Sequence, residues 1–157
     1  MRVLLCLFIL LQADALMGGT YETVDGRRLP LKTVSGGLHK REGHLGPGGN
    51  LRWADLGEGS LIRANLSFAD LRNANLDHSD LTGAHCNNIT LGGASLVGAN
   101  LLRARFCDSQ LDGVDLRGVK NWQTANWKNA YYTIGSEPNW PKGMDSRKAG
   151  IVAKKGT

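Results

Sequence analysis

The chain has 157 residues, of which 41% are hydrophobic and 21% charged, the size and balance of one ordinary folded domain. Glycine is abundant at 21 residues and aromatics make up only 6%, which points to many turns around an aliphatic core. The formal charge of +5 is uneven: residues 1–48 carry +2, residues 49–119 carry −2 and residues 120–157 carry +5, so the central part lacks the basic excess expected of a nucleic-acid-binding domain.

The first residues have the form of an export signal. Arg2 precedes an unbroken apolar run from Val3 to Leu11, and Ala13-Asp14-Ala15 offers a small-residue cleavage site, with the cut expected after Ala15. Nine apolar residues are too few to cross a bilayer as a helix, which takes roughly 20, and no later run is longer. The expectation is a secreted or periplasmic chain that does not span a membrane, or a cytoplasmic one if the run is not cleaved. Cys6 has no lipoprotein context, and its removal leaves Cys86 and Cys107, too few for a disulfide scaffold. Residues 16–48 are broken by Gly18-Gly19, Gly36-Gly37 and Gly46-Pro47-Gly48-Gly49. They allow either a hairpin around Tyr21 to Lys32, covering the outward aromatics Trp53 and Phe68, or a flexible linker.

From residue 49 a five-residue period takes over. Leucine occupies positions 51, 56, 61, 66, 71, 76, 81, 91, 96, 101, 111 and 116, and only Cys86 and Phe106 interrupt the register. Two residues before each stands a mostly small residue, as in Ala54-Asp55-Leu56, Ala64-Asn65-Leu66 and Ala99-Asn100-Leu101. On an α-helix, steps of five rotate by roughly 140° and smear leucine around the cylinder. On a flat strand they alternate faces. The period fits a chain that makes a short extended segment and a corner in every five residues, with each leucine directed to a common axis and Asn, Asp, Gly and Ser near the corners.

These residues resemble the pentapeptide-repeat proteins, whose pattern is Ala-(Asp/Asn)-Leu followed by two variable residues. The resemblance covers residues 49–119 and implies an all-β fold: a right-handed quadrilateral β-helix, four repeats to a coil, with about four coils and capping segments at its ends. At about 4.8 Å per coil the repeats would stand roughly 17 Å tall. A 20-residue coil predicts the stacks Leu51/Leu71/Leu91/Leu111, Leu56/Leu76/Leu96/Leu116, Leu61/Leu81/Leu101 and Leu66/Cys86/Phe106. In the last, a side chain smaller than leucine sits beneath a larger one, as close packing requires. Cys86 is therefore expected inside and Cys107 outside, which disfavours a bond between them.

After Leu116 the spacing continues through Trp122, Trp127 and Tyr132, displaced by one, so one residue is inserted between Leu116 and Trp122. Residues 120–145, with these rings and Trp140-Pro141, are expected to close the column, and residues 146–157 to form a frayed basic tail. Solenoid ends need closing because an open coil offers unpaired backbone groups.

Chemistry is sparse. There is no phosphate loop, no paired metal spacing and no Gly-x-Ser-x-Gly elbow. His39, His44, His78 and His85 read as surface residues, and Asp55, Asp70, Asp80 and Asp115 stand where the repeat asks for a corner residue. No catalytic, cofactor-binding or metal-binding residue is expected. Arg52 stacked on Arg72, and Ile62 and Leu102 on one face with Thr82 between, are the candidate partner surface. The sequence thus reads as a structural and protein-interaction module without catalysis, monomeric or paired end to end, whose partner is an unknown protein or envelope component and not nucleic acid. The resemblance offers an alternative, a DNA-mimicking binder of DNA gyrase or another nucleic-acid enzyme. A mimic needs a long acidic rod to imitate one charge per about 1.7 Å of duplex.

Overall fold

A computed structural model describes residues 20–22, 28–30, 32–33 and 46–156; the export signal, most of the glycine-rich segment, His39 and His44 lie outside the described residues. Between Asn50 and Lys120 the backbone winds with a repeat of 20. Parallel bridges join Asn50 to Asp70, Asp70 to Thr90 and Thr90 to Gln110, and three further columns start at Asp55, Ser60 and Asn65. Each residue before a leucine thus sits over the residue 20 positions away, and the coil has four sides.

Each repeat turns on one local device. The leucine carbonyl accepts a hydrogen bond from the N–H three residues on, as from Ala54 to Leu51 at 3.0 Å and Ala64 to Leu61 at 3.0 Å. The residue two after the leucine adopts positive φ, from Trp53 at 61° through Arg63 at 56° to Arg103 at 56°. Glycine meets this demand without cost, as at Gly83 with φ 65°. Between coils, the leucine N–H donates to a carbonyl of the next coil, Leu51 to Asp70 at 2.8 Å and Leu96 to Asp115 at 2.9 Å.

The preference for Asp or Asn before leucine has a direct cause. The side-chain oxygen accepts the N–H two residues on, Asp55 from Gly57 at 3.3 Å, Asn75 from Asp77 at 3.0 Å and Asp80 from Thr82 at 2.9 Å. This Asx turn holds the corner. The same side chains also bond along the column, Asn75 to Asp55 at 2.8 Å and Asn100 to Asp80 at 3.2 Å.

Inside, every leucine of the register is at most 3% exposed, and Cys86 and Phe106 are each 1% exposed. The four expected stacks are therefore in place, and the Cys86 site beneath Phe106 is filled. Ser79 and Ser109 replace alanine on the inner wall, and their hydroxyls donate to the carbonyls of Leu76 and Cys86 at 2.7 and 2.8 Å. That removes the penalty for burying them.

The register shifts where a single inserted residue is expected. Lys120 still pairs with Asn100 at a separation of 20, whereas Asn126 pairs with Arg105 and Tyr131 with Gln110 at 21. Asn121 takes φ 58°, and a 3₁₀ turn follows over Trp122–Thr124. Trp127 then lies over Phe106, rings stacked with centroids 4.7 Å apart.

Three short two-stranded pairings involve the terminal segments. Strands β1 (Thr20–Glu22) and β2 (Arg28–Pro30) pair antiparallel, with Tyr21 opposite Leu29. Strand β3 (Lys32–Thr33) pairs antiparallel with β4 (Ala54–Asp55), laying chain from the glycine-rich segment against the first repeats. At the other end β5 (Tyr131–Thr133) pairs in parallel with β6 (Val152–Lys154). The segment expected to fray is thus a strand: Ile151 is 5% exposed and the Lys154 ammonium lies 3.3 Å from the centre of the Tyr131 ring. Basic composition suggested a tail, but backbone pairing, an apolar anchor and a cation–π contact order it.

Candidate functional surface

A solenoid with a filled axis offers its outer columns, so any site must be built from them. Residues one and two after each leucine point outward beside the corner residue. The four candidate residues fall in two places. Arg52 and Arg72 follow Leu51 and Leu71 on one side of the coil, whereas Ile62 and Leu102 follow Leu61 and Leu101 on the third side, with Thr82 between.

Arg52 and Arg72 are not a bare pair of like charges. Arg72 donates to both carboxylate oxygens of Asp70, through Nε at 2.8 Å and Nη2 at 2.5 Å. Arg52 approaches the same carboxylate at 3.9 Å. Arg117 grips Asp115 in the same way, with Nε at 2.9 Å and Nη2 at 2.6 Å. The hydrogen bonds from Arg72 and Arg117 hold the Asp70 and Asp115 carboxyls below their ordinary range, outweighing partial burial. A depressed folded pKa contributes stability above the unfolded value of 3.8, and that contribution is lost as pH falls through the lowered folded value. The Asp70→Asn/Asp115→Asn variant is therefore expected to be less stable than the parent at neutral pH. The difference in melting temperature should close as pH drops through this window; a difference independent of pH would mean that the ion pairs are not its source.

The third side and the corner leading to the fourth look different. Ile62 is 41% exposed and Leu102 is half-buried. Thr82 between them turns its hydroxyl onto Asp80 at 2.6 Å. Beside this strip, Arg63 and Arg103 occupy the turn position, and Arg105 stands at the next corner in line with His85; all four are exposed. Among the described residues, Arg63, Arg103 and Arg105 have no carboxylate within 4 Å and no side-chain hydrogen bond.

Charge is therefore divided around the column. The first two sides hold Asp55, Glu58, Asp70, Asp77, Asp112 and Asp115 against Arg52, Arg72 and Arg117. The other two hold Arg63, Arg103 and Arg105 against Asp80 and Asp108, and Lys120 and Lys128 extend them. Counting along the chain hides this division; wrapping the sequence every 20 residues exposes it.

Most of the aspartates are consumed in turns and columns: Asp77 accepts from Ser95 and from the Val97 N–H at 2.8 Å, and Asp112 accepts from Gln110 and Thr133. His78 and His85 stand on different sides, and no cluster of metal-ligating side chains occurs among the described residues. Burial pushes the Cys86 thiol up to about 12, which makes it an inert core residue. Cys107, half-buried, is directed outward, and both are free thiols.

The coil of four five-residue sides, with leucine on the axis and Asp or Asn at the corner, defines a pentapeptide-repeat solenoid. Residues 50–85 and 84–120 match the pentapeptide repeats family, in eight copies. Residues 50–120 are thus pentapeptide repeats, and the fold they imply is the right-handed quadrilateral β-helix of such repeats. Solved structures similar to it include a pentapeptide repeat protein from the cyanobacterium Cyanothece 51142, 27% identical, covering 64% of this chain and 54% of that one, with a TM-score of 0.43. This chain thus spans about half of that protein's length. Another, from Nostoc Pcc 7120, is 28% identical over 64% of this chain and 84% of that one, with a TM-score of 0.32. A third, from the Arabidopsis thaliana thylakoid lumen, is 25% identical over 63% and 74%, with a TM-score of 0.27. No curated protein matches. Among the described residues no helix is long and apolar enough to cross a membrane.

Proposed function

We propose that this chain is a non-catalytic protein-interaction column, exported through residues 1–15 and working in the periplasm or outside the cell. Residues 49–119 form the column, which with residues 120–145 makes about four coils. Residues 16–48 and 120–145 cover its two ends, and residues 146–157 add the final basic strand. The observation that carries the reading is the contrast between sides: most carboxylates of the first two are tied into turns, columns and arginine pairs, while on the others Ile62, Leu102 and three arginines without a carboxylate partner among the described residues face outward. Of the four candidate residues, Ile62 and Leu102 belong to the contact surface, and Arg52 and Arg72 serve to neutralise Asp70.

Duplex mimicry fits less well, because Asp70 and Asp115 are neutralised at 2.5 and 2.6 Å by Arg72 and Arg117 and most of the remaining acids occupy one half of the perimeter. The test is capture from envelope extract with the exported chain, expected to begin at Leu16, and with its Ile62→Glu/Leu102→Glu variant. A specific partner should be retained by the first and reduced about tenfold or more by the second, since loss of about 1.4 kcal/mol suffices. Equal retention by both, or a chain beginning at Met1, would overturn the corresponding part of the reading.

A further inference from the structure

The geometry points to an extended acidic peptide segment of a partner protein as the occupant of the corner formed by Arg63, Arg103 and Arg105 beside Ile62 and Leu102. This inference rests on the interaction reading above and gives that surface a ligand chemistry. Three observations converge on it. The first is that these guanidiniums are exposed and without carboxylate partners among the described residues, whereas Arg52, Arg72 and Arg117 are held by Asp70 and Asp115. The nearby Asp80 does not compete for them, because its carboxylate accepts from Thr82 and Asn100.

The second observation concerns the turn. Arg63 and Arg103 both stand at φ 56°, a conformation that side-chain-bearing residues adopt infrequently. Gly83, between them in the same column, satisfies the turn without any side chain. The turn is shared by other side-chain-bearing residues of the coil, Trp53, Glu58 and Phe68 among them, and the arginine stems add nothing that it requires, so this position is available to carry outward charge. A Cβ on Gly83 would lie 3.4 Å from Arg63 Cγ. The Arg63 stem thus lies across Gly83, in the column that leads to Arg103.

The third observation is spacing. Two coil steps separate the Arg63 and Arg103 backbones, about 9.6 Å at the usual distance between strands. In a polyproline-type extended peptide, residues i and i+3 lie on one side about 9.3 Å apart. Carboxylates at every third residue therefore meet successive arginines, as charge-assisted and potentially bidentate hydrogen bonds. Aliphatic side chains of the same peptide fall on the Ile62–Leu102 strip. Nucleic acid is less well served, since the strip flanking the arginines is aliphatic and base stacking needs rings.

The probe is a fluorescein-labelled peptide of four Glu-Pro-Leu repeats, titrated with the full chain and followed by anisotropy. Saturable binding is expected, weakening about tenfold or more in Arg63→Glu/Arg103→Glu, as when complementary charge is reversed. Arg63→Gly/Arg103→Gly suits the turn and keeps the fold, and it should weaken binding in the same direction. Arg52→Glu, on another side of the coil, should leave affinity within about twofold. A Gln-Pro-Leu peptide should bind about tenfold less tightly, and raising salt from about 20 to about 200 mM should weaken the acidic peptide most. Binding unchanged in both arginine variants overturns the proposal. So does tighter, equally arginine-dependent binding of a dodecanucleotide or of vesicles with about 30% anionic lipid. If the peptide fails while Ile62→Glu/Leu102→Glu still loses its captured partner, the acidic assignment falls and the interaction reading stands; if neither responds, both fall.

Discussion

Replacing Leu96 with Asp is expected to abolish cooperative unfolding at neutral pH. Leu96 is 1% exposed, in the inner stack between Leu76 and Leu116, and its own N–H is committed to the Asp115 carbonyl at 2.9 Å. A carboxylate there meets an apolar shaft with no spare donor: the buried polar side chains among the described residues all have partners already. Burying an unpaired charge, added to the lost leucine contacts, costs more than about 4 kcal/mol, against a total stability of about 5–15 kcal/mol for a typical domain. Each coil of a solenoid leans mainly on its neighbours, so a defect in the middle uncouples the repeats on either side. The buried carboxyl has its own pKa raised by desolvation. Part of the loss should therefore return as pH falls and the group becomes neutral. Leu96→Met conserves volume and should cost less than about 1.5 kcal/mol. Thermal unfolding followed by circular dichroism decides the matter: a variant that melts like the parent at neutral pH would refute the inward register.

The second large effect is expected at Trp127. Its ring is 3% exposed and lies nearly parallel to Phe106, tilted by 10°, while the indole Nε1 donates to the Trp122 carbonyl at 3.2 Å. Trp127→Ala removes the stack, the hydrogen bond and the lid over Phe106, at a cost of about 3–5 kcal/mol. The loss should be local at first. Asn126 and Tyr131 flank Trp127 in the same layer, and β6 pairs onto Tyr131–Thr133, so amides from 126 to 154 should lose exchange protection before those of residues 70–100. Trp127→Phe retains the stack and should lose less than half as much. Uniform loss of protection along the whole column would show that the end is not a separable layer.

Much of the column was legible in the sequence because the five-residue period leaves one inner side chain per repeat and repeats it without a break. Even the exceptions were readable: Cys86 under Phe106, and the one-residue shift before Trp127. The conformation of the turn was less so. Trp53, Glu58, Arg63, Phe68 and His78 all take positive φ, and none of these residue types announces it; coil geometry imposes it. The final strand was hidden because the period lapses between Trp140 and Ile151, and Lys154-Lys155 reads as solvated chain until its pairing with Tyr131–Thr133 is seen. The divided perimeter escaped a different way. Its charges sum to only −2 along residues 49–119, and only the 20-residue wrap separates Arg63, Arg103 and Arg105 from the carboxylates of the first two sides.

The inter-coil bridges between Asn50 and Lys120 all span 20 residues, which has a consequence for how such a chain assembles and changes. No contact in the ladder waits for a distant part of the sequence, so closure entropy is the same small increment at every step and the column can grow from any nucleus. Its length is then a free variable: a duplication of 20 residues adds a storey and leaves every side facing as before. A duplication of 10 would preserve the leucine axis and the turns but rotate everything beyond it by half a revolution. Arg103 would then leave the column of Arg63 and Gly83, and Arg105 would leave that of His85, for the two sides that hold most of the carboxylates, so the chain would keep its fold and lose its alignment of charge.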